Sequence, residues 1–196
     1  MKFAKTFASL AMAAVTALWT VTASAAPVTQ SIGPGSAYRC CFDWSQALMG
    51  SITLASGTNA ILDLDSSAIT YDQGWGGQDP ALNGVYVSLN VNGTDVWAVH
   101  TAGAGHGTTG VQTYDIMSFP AQLASLNLAL EAVDWTSSPT VALRLFGFLA
   151  AYPGWELTIT DAYLTVTSAT VPAPASLALL GLGLLVVGAH RRRKAA

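Results

Sequence analysis

Apolar and polar side chains alternate along most of residues 26–170, and this two-residue period constrains the fold more than any other feature of the sequence. Between Val85 and Val91 every second residue is Val or Leu, which is the pattern of a strand with one buried face. Asn92-Gly93 follows, and then a second alternating run, Thr94–Thr101. Because Asn and Gly both tolerate positive φ, this arrangement predicts a β-hairpin with a two-residue turn.

Further short runs of the same kind are separated by Gly and Pro. They are Ser51–Ala55, Ala60–Asp65, Ala68–Tyr71, Val111–Ser118, Leu126–Trp135, Val141–Ala150 and Trp155–Thr167. The alternation changes phase inside Leu126–Trp135 and inside Trp155–Thr167, which predicts β-bulges. No sustained helical period rivals these strands. We therefore expect an all-β fold, a single antiparallel β-sandwich of jelly-roll type, over residues 26–170.

Residues 1–25 have the pattern of a secretory signal peptide. Lys2 and Lys5 precede an apolar stretch, and Ala23-Ser24-Ala25 supplies the small residues that a signal peptidase accepts at Ala23 and Ala25. An N-terminal membrane anchor is the alternative, but the apolar stretch is short for a span of ~20 residues. We expect export across the inner membrane, with the export machinery and signal peptidase as partners.

Residues 171–196 combine prolines, an apolar run and a basic end. Pro172-Ala173-Pro174 leads into an uncharged run that ends at Ala189, and Arg191-Arg192-Arg193 follows shortly after it. The prolines stop a helix from extending upstream, and flanking arginines compensate for a run slightly short of a ~30 Å hydrocarbon core. Since basic clusters stay cytoplasmic, we expect one C-terminal transmembrane helix with a cytoplasmic basic tail. A buried helix of the globular body is the alternative.

This C-terminal segment resembles the PEP-CTERM sorting signal. The resemblance rests on Pro172, Pro174, the apolar run and the cluster Arg191, Arg192 and Arg193, with Ala173 where the motif usually has Glu. It implies handling by an exosortase, a membrane peptidase, in bacteria that have an outer membrane and make extracellular polysaccharide or biofilm. The resemblance covers this segment alone, so it concerns how the protein is addressed and not what the body does.

The net charge of −3 is distributed unevenly along the chain. All 11 acidic residues lie within residues 26–170, where Arg39 and Arg144 are the only strong bases. A nucleic-acid-binding domain presents a basic surface to phosphates, so nucleic acid is excluded as a partner. The same acidity disfavours a strongly anionic polysaccharide, unless a bound cation bridges the two.

One aromatic motif is a candidate ligand site. Tyr71-Asp72-Gln73-Gly74-Trp75-Gly76-Gly77 precedes the hairpin and is similar to a short stretch found near strand ends in some β-sandwich domains. In the structural interpretation, Asp72 accepts hydrogen bonds in a turn, the glycines adopt conformations barred to other residues, and Trp75 covers the core. In the functional interpretation, Tyr71, Trp75 and Trp97 stack on sugar rings while Asp72 bonds to the hydroxyls.

The acidic residues also permit a calcium hypothesis. Asp63 and Asp65 lie two residues apart and so share one strand face, while Asp72 and Asp79 lie in loops or near strand ends. Hard cations take about six to eight oxygen ligands, often from such loops. The chain has no EF-hand loop and no glycine-rich nonapeptide repeat. A solvated acidic face is the alternative, and no other cofactor is expected.

Nothing in the sequence marks a catalytic centre. Glu131 and Glu156 are the only glutamates and lie in separate strand patterns, and no nucleophile elbow or zinc-protease helix occurs. Cys40 and Cys41 are adjacent, so a disulfide between them closes a strained ring; an intermolecular bond and two thiols are the alternatives. We therefore expect no enzyme.

These features predict an exported, envelope-associated and non-catalytic protein. It consists of a signal peptide (1–25), a β-sandwich (26–170) and a sorting signal with a transmembrane helix (171–196). The sandwich is expected to contact extracellular polysaccharide or biofilm matrix at the cell surface. One alternative is a structural or adhesive coat protein that self-associates through sheet edges or cysteines. Another is a glycan hydrolase.

Overall fold

The chain folds into two antiparallel sheets in the computed structural model, which describes residues 27–40, 45–73, 83–149 and 156–170. The elements are β1 (Val28–Cys40), β2 (Ser45–Thr53), β3 (Thr58–Asp72), β4 (Asn83–Val91), β5 (Thr94–Gly103), β6 (Gly107–Thr108), β7 (Gln112–Asp115), α1 (Pro120–Glu131), β8 (Val141–Leu149) and β9 (Glu156–Thr170). Two 3₁₀ turns, Ile116–Ser118 and Trp135–Ser137, flank α1.

The strands are divided between a five-stranded sheet and a four-stranded sheet. Sheet I has the order β1-β9-β3-β6, with β7 also pairing with β3, and sheet II has the order β2-β8-β4-β5. Every pairing within the sheets is antiparallel. The predicted antiparallel β-sandwich is therefore confirmed.

Within the described residues, none of the helices could span a lipid bilayer. The transmembrane helix predicted within residues 171–196 lies outside the described residues, as do Ala23 and Ala25 of the predicted signal peptide.

The core lies between the inner faces of the two sheets, as the two-residue period requires. Val85, Val87 and Leu89 of β4 are completely buried, and Leu64 and Leu164 face them from sheet I as members of the same core cluster. Removing one such side chain from water contributes about 2 kcal/mol to folding. Alternation thus sets which side chains are left for the outer faces, where a ligand can reach them.

The β4–β5 hairpin forms at Asn92-Gly93, as predicted. Asn92 and Gly93 have φ values of 51° and 90°, and this left-handed pair gives the turn the twist of its flanking strands. The Gly93 N–H donates to Asn90 Oδ1 at 2.9 Å, and the Thr140 N–H donates to Asn92 Oδ1 at 2.9 Å. The turn is therefore fixed both locally and by the segment that precedes β8.

The strand predicted for Leu126–Trp135 is wrong, because Trp135 begins a 3₁₀ turn and residues 126–131 are the second half of the helix α1. Pro120 occupies its first turn, where a missing N–H costs nothing, and Ala, Leu and Gln favour the helix. Leu126 and Leu130 are buried while Leu128 between them is 69% exposed. Leucines at every second position match a strand, but two of them four residues apart also form one helix face.

The sequence patterns missed β1 and divided β3. Gly33 and Pro34 interrupt the alternation in β1, where the register with β9 shifts; a proline is tolerated there because β1 is an edge strand. The predicted runs Ala60–Asp65 and Ala68–Tyr71 are one continuous strand. The bulge predicted in β9 is confirmed near Asp161, whose φ is 49°.

Candidate functional site

The outward side chains of sheet I form one surface, which we call the tyrosine face. Alternation along each strand and the pairing register bring these side chains together from four strands. Its members include Thr29, Ser31 and Tyr38 on β1, Asp63, Asp65, Ser67, Ile69 and Tyr71 on β3, Thr113 and Asp115 on β7, and Thr158, Thr160, Asp161, Tyr163, Thr165 and Thr167 on β9.

Three tyrosines lie on this face. Tyr38 is 54% exposed, Tyr163 is 44% exposed and Tyr71 is half-buried. Tyr38 and Tyr71 both pair with Thr158, one from each side of β9, so their strands are separated by about 10 Å across the sheet. Tyr163 lies further along β9. Two of the rings therefore lie on either side of β9, and the third lies on β9 itself.

The ring of Tyr163 lies against Gly33 on the neighbouring strand. Gly33 has a φ of 136°, and a Cβ at this position would collide with the Tyr163 ring. Glycine is thus required here both for its backbone conformation and for the space that the ring occupies. The same Gly33 that hides β1 from sequence patterns positions an aromatic ring of the face.

Hydroxyl groups pair across β1 and β9. Thr29 Oγ1 lies 2.9 Å from Thr167 Oγ1, and Ser31 Oγ lies 2.9 Å from Thr165 Oγ1. The two pairs are two residues apart, so they repeat at about 6.6 Å along the strands. Such cross-strand pairs stabilise the sheet and keep lone pairs available on its outer side.

Three carboxylates adjoin these hydroxyls. Asp63, Asp65 and Asp115 each place a carboxylate oxygen within 4.8 Å of those of the other two. Partial burial raises the pKa of the Asp65 carboxyl, and the charges of Asp63 and then Asp115 raise this pKa further. A shallow cavity of about 230 Å³ separates this cluster from Tyr163.

The calcium candidates are brought together only in part. Asp63 and Asp65 share the face with Asp115, a residue that the sequence did not suggest. Asp72 instead points into the core, and Asp79 lies outside the described residues. Carboxylate oxygens suit a hard cation, but exposed acidic groups are common without one. The calcium hypothesis stays a prediction.

Asp72 lies in a buried environment, where it makes a contact within the fold. Asp72 and Asn83 are both completely buried, and Asn83 Nδ2 donates to Asp72 Oδ2 at 3.1 Å. The Ala104 N–H donates to the Asn83 carbonyl at 3.0 Å. The Asp72–Asn83 contact joins the end of β3 to the start of β4, and so connects sheet I to sheet II.

The aromatic candidates of the sequence are dispersed. Tyr71 lies on the tyrosine face, whereas Trp97 faces inward opposite Leu89 and packs against the core. Trp75 lies outside the described residues, as does Cys41, the second residue of the Cys40-Cys41 pair. Tyr38 and Tyr163 were missed. The signal for Tyr163 was the polar–apolar alternation from Tyr163 to Thr167, which marks every second residue as outward; Tyr38 lies on β1, which the sequence patterns missed.

The outer face of sheet II is packed rather than open. Tyr86, on β4, has its ring centroid 4.6 Å from that of His100 and 5.7 Å from that of Phe146, which is only 4% exposed. Beside these rings, Asp95 Oδ1 accepts hydrogen bonds from Ser88 Oγ at 2.9 Å and Arg144 Nη1 at 3.2 Å. Because these side chains mainly contact one another, the outer face of sheet II is the weaker candidate for a ligand-binding surface.

Residues 170–194 match the family model described as PEP-CTERM protein-sorting motif. The C-terminal segment is a PEP-CTERM sorting signal. The predicted resemblance is therefore confirmed, with Ala173 inside the matched range. A PEP-CTERM signal implies export and membrane-anchored processing by an exosortase, a membrane peptidase. The comparison with curated proteins gives no match.

Among solved structures, the chain is similar to proteins of viral particles. One is the T13 IBDV viral particle, at 13% identity and a TM-score of 0.41, with 76% of this chain and 33% of that chain covered. Another is infectious bursal disease virus strain Gt, at 12% identity and a TM-score of 0.37, with 76% and 39% covered. This chain thus spans about a third of the length of the first viral chain.

Proposed function

We propose that residues 26–170 form a non-catalytic, polysaccharide-binding domain of an exported surface protein, and that the tyrosine face is its contact surface. The observation that carries the proposal is the presence of Tyr38, Tyr71 and Tyr163 on one sheet face together with paired hydroxyls and carboxylates. Tyrosine combines a flat apolar ring with a polar tip, which suits the C–H faces and hydroxyls of sugar rings.

The glutamates support a non-catalytic role. Glu131 is the last residue of α1, whereas Glu156 is the first residue of β9, opposite Cys40. Hydrolysis of a glycosidic bond requires two carboxyl groups that face each other at about 5–10 Å across the substrate. Nothing in these two positions places the glutamates on opposite sides of a common cleft.

Binding of the purified protein to an array of bacterial and plant polysaccharides tests the proposal. We expect retention on at least one polysaccharide, and a loss of about tenfold or more in affinity for Tyr38→Ala combined with Tyr163→Ala, since truncated aromatic contacts dominate binding energy. Leu128→Ala, an exposed change on α1, is the control and should bind normally. Failure of the folded protein to bind any polysaccharide would exclude this function.

We also infer that the sandwich is a jelly roll. The support is the strand order, with β1-β9-β3-β7 in one sheet opposite β2-β8-β4-β5 in the other. Most successive strands cross from one sheet to the other; the exceptions are the β4–β5 hairpin in sheet II and the short β6, which precedes β7 in sheet I. This order is that of two interlocked Greek keys. It places both β1 and the final strand, β9, in sheet I and so builds the tyrosine face.

A structural or adhesive coat protein is less favoured, because three of the four sheet edges carry a feature that opposes strand addition. β1 contains Pro34 and two register shifts, and β5 has two register shifts against β4. Where β3 extends beyond the end of β7, its edge is covered by α1. Proline, bulges and a covering helix are features that keep edge strands from pairing with other molecules.

A further inference from the structure

We propose that the tyrosine face takes an extended, non-anionic polysaccharide chain that lies lengthwise along β9. This inference rests on the proposed function and specifies its ligand. It follows from the positions of the tyrosines along the sheet and from the charges around them.

The face is too long for a single sugar to use. Thr158, between Tyr38 and Tyr71, is nine residues from Thr167, which pairs with Thr29 and Asp63. Because β9 carries a bulge, the eight residues from Asp63 to Tyr71 on β3 measure the separation, and at about 3.3 Å per residue these two rows are about 26 Å apart. Only a chain of several sugar units reaches both of them, so its contacts accumulate as the chain lengthens.

The arrangement of side chains favours a path along β9 over a path across the sheet. Thr158, Thr165 and Thr167 form a floor of small side chains on β9. The larger Tyr38 and Tyr71 stand on the strands to either side, while Tyr163 lies on β9 itself, nearer the hydroxyl pairs. A chain on this path passes between two rings, stacks on a third and then meets hydroxyls on one side and carboxylates on the other.

The charges of the face decide the class of polysaccharide. Asp63, Asp65 and Asp115 lie on it, and in the described part of the chain no Lys or Arg side chain opposes them. Arg144 is on sheet II, bonded to Asp95, and Arg39 donates to the carbonyls of Tyr38 and Gln46. A uronate or sulfated chain would add like charge here, whereas neutral hydroxyls or amino groups can bond to the carboxylates.

Size-fractionated oligosaccharides from three polymers provide the test: a neutral glucan, a partly deacetylated N-acetylglucosamine polymer and polygalacturonate. For the neutral or amine-bearing series we expect affinity to rise by about tenfold or more from disaccharide to octasaccharide, as successive contacts add. Polygalacturonate fragments should not bind. Equal affinity for short and long fragments, or strongest binding of the uronate, overturns the inference while leaving polysaccharide binding intact. Absence of all binding contradicts the proposed function itself.

Two single variants separate a lengthwise path from a local site. Tyr38→Ala removes a contact at one end, so it should lower the affinity for octasaccharides about fivefold, within the usual range for one aromatic contact, and leave disaccharide binding unchanged. Leu48→Ala changes a side chain on sheet II that is more than half exposed, and it should alter neither affinity. Circular dichroism establishes that both variants are folded. Equal losses for short and long fragments in Tyr38→Ala contradict the lengthwise path.

Discussion

At the scale of single residues, the tyrosine face places like charges side by side. Asp65 lies directly opposite Asp115 on β7 and shares a strand face with Asp63. Burial and then these two carboxylates raise the pKa of Asp65. Like charges directly opposite one another destabilise a sheet, so this cluster should lower the stability of the fold.

The sign of the pH dependence follows from this raised pKa. The native state holds the Asp65 proton more tightly than the unfolded state, so the stabilisation from protonated Asp65 is present below the unfolded pKa of about 3.9 and is lost as pH rises through the folded pKa. We expect Asp65→Asn to increase the free energy of unfolding by about 0.5 kcal/mol at neutral pH and to change it little below about pH 3.5.

Urea denaturation of both proteins across this pH range, with a chelator present, measures the difference. Asp134→Asn is the matched control, because hydrogen bonds from the Thr136 side chain and backbone lower the pKa of Asp134. Its ionised form is favoured in the native state, so the substitution should destabilise at neutral pH and have no effect in acid. A less stable Asp65→Asn protein at neutral pH contradicts the assigned sign.

The buried Asp72–Asn83 contact should be important for stability. Asn83→Ala removes the amide that donates to Asp72 Oδ2 at 3.1 Å and leaves a carboxylate with one partner fewer in the core. We expect a loss of about 2 kcal/mol in the free energy of unfolding, measured from denaturant midpoints. Asn59→Ala, an exposed change on β3, should stay within about 0.5 kcal/mol of the wild type. Equal midpoints for the two variants would show that the contact contributes nothing.

At the scale of elements, the sequence correctly predicts those structures that are determined by residues close to one another along the chain. The hairpin at Asn92-Gly93 and the buried face of β4 follow from local turn chemistry and alternation. α1 was mistaken for a strand, because Leu126 and Leu130 fit either period when Leu128 lies between them. Tertiary packing then decided between two periods that the local pattern allows.

The residues of the candidate site were likewise predictable only where local sequence patterns identify them. Asp63 and Asp65 were identified because they alternate along a single strand, and Tyr71 because it begins the aromatic motif. Asp115 joins them only because β7 pairs with β3, and Tyr38 joins them because β1 pairs with β9. Both pairings connect segments that are far apart in sequence, and no local pattern specifies a partner strand.

The helix α1 covers part of the edge of sheet I through a specific pair of hydrogen bonds. Asn127 Oδ1 accepts from the Ile61 N–H at 2.8 Å, and Asn127 Nδ2 donates to the Ile61 carbonyl at 3.1 Å. The side-chain amide thus takes the place of a neighbouring strand where β3 extends beyond β7. An edge left open here would offer its backbone groups to another chain.

Asn127→Ala should open this edge. We expect a loss of about 2 kcal/mol in stability, because both Ile61 backbone groups lose their partner, and faster hydrogen exchange at the Ile61 amide. Ser125→Ala, exposed on the same helix, should leave exchange at Ile61 unchanged. If Ile61 exchanges equally slowly in all three proteins, the Asn127 side chain does not protect the edge.

At the scale of the whole molecule, charge and hydropathy separate the chain into parts with different tasks. All the acidic residues lie within Ala26–Thr170, which forms one compact unit. The bases outside it lie at the two ends of the chain, next to apolar runs. A composition with 52% hydrophobic residues therefore reflects the apolar runs at the two ends as well as the core, and the net charge of −3 understates the acidity of the domain between them.

The sorting signal begins where the last strand ends, so it should be removable without loss of the fold. β9 finishes at Thr170, and the matched motif covers residues 170–194. We expect deletion of residues 171–196 to shift the protein from the membrane fraction to the soluble exported fraction, with an unchanged denaturant midpoint. Replacing Arg191, Arg192 and Arg193 by Gln, which keeps the apolar run, is the matched control and should leave the protein in the membrane fraction while disturbing its orientation. Retention of the truncated protein in the membrane fraction would locate the anchor elsewhere in the chain.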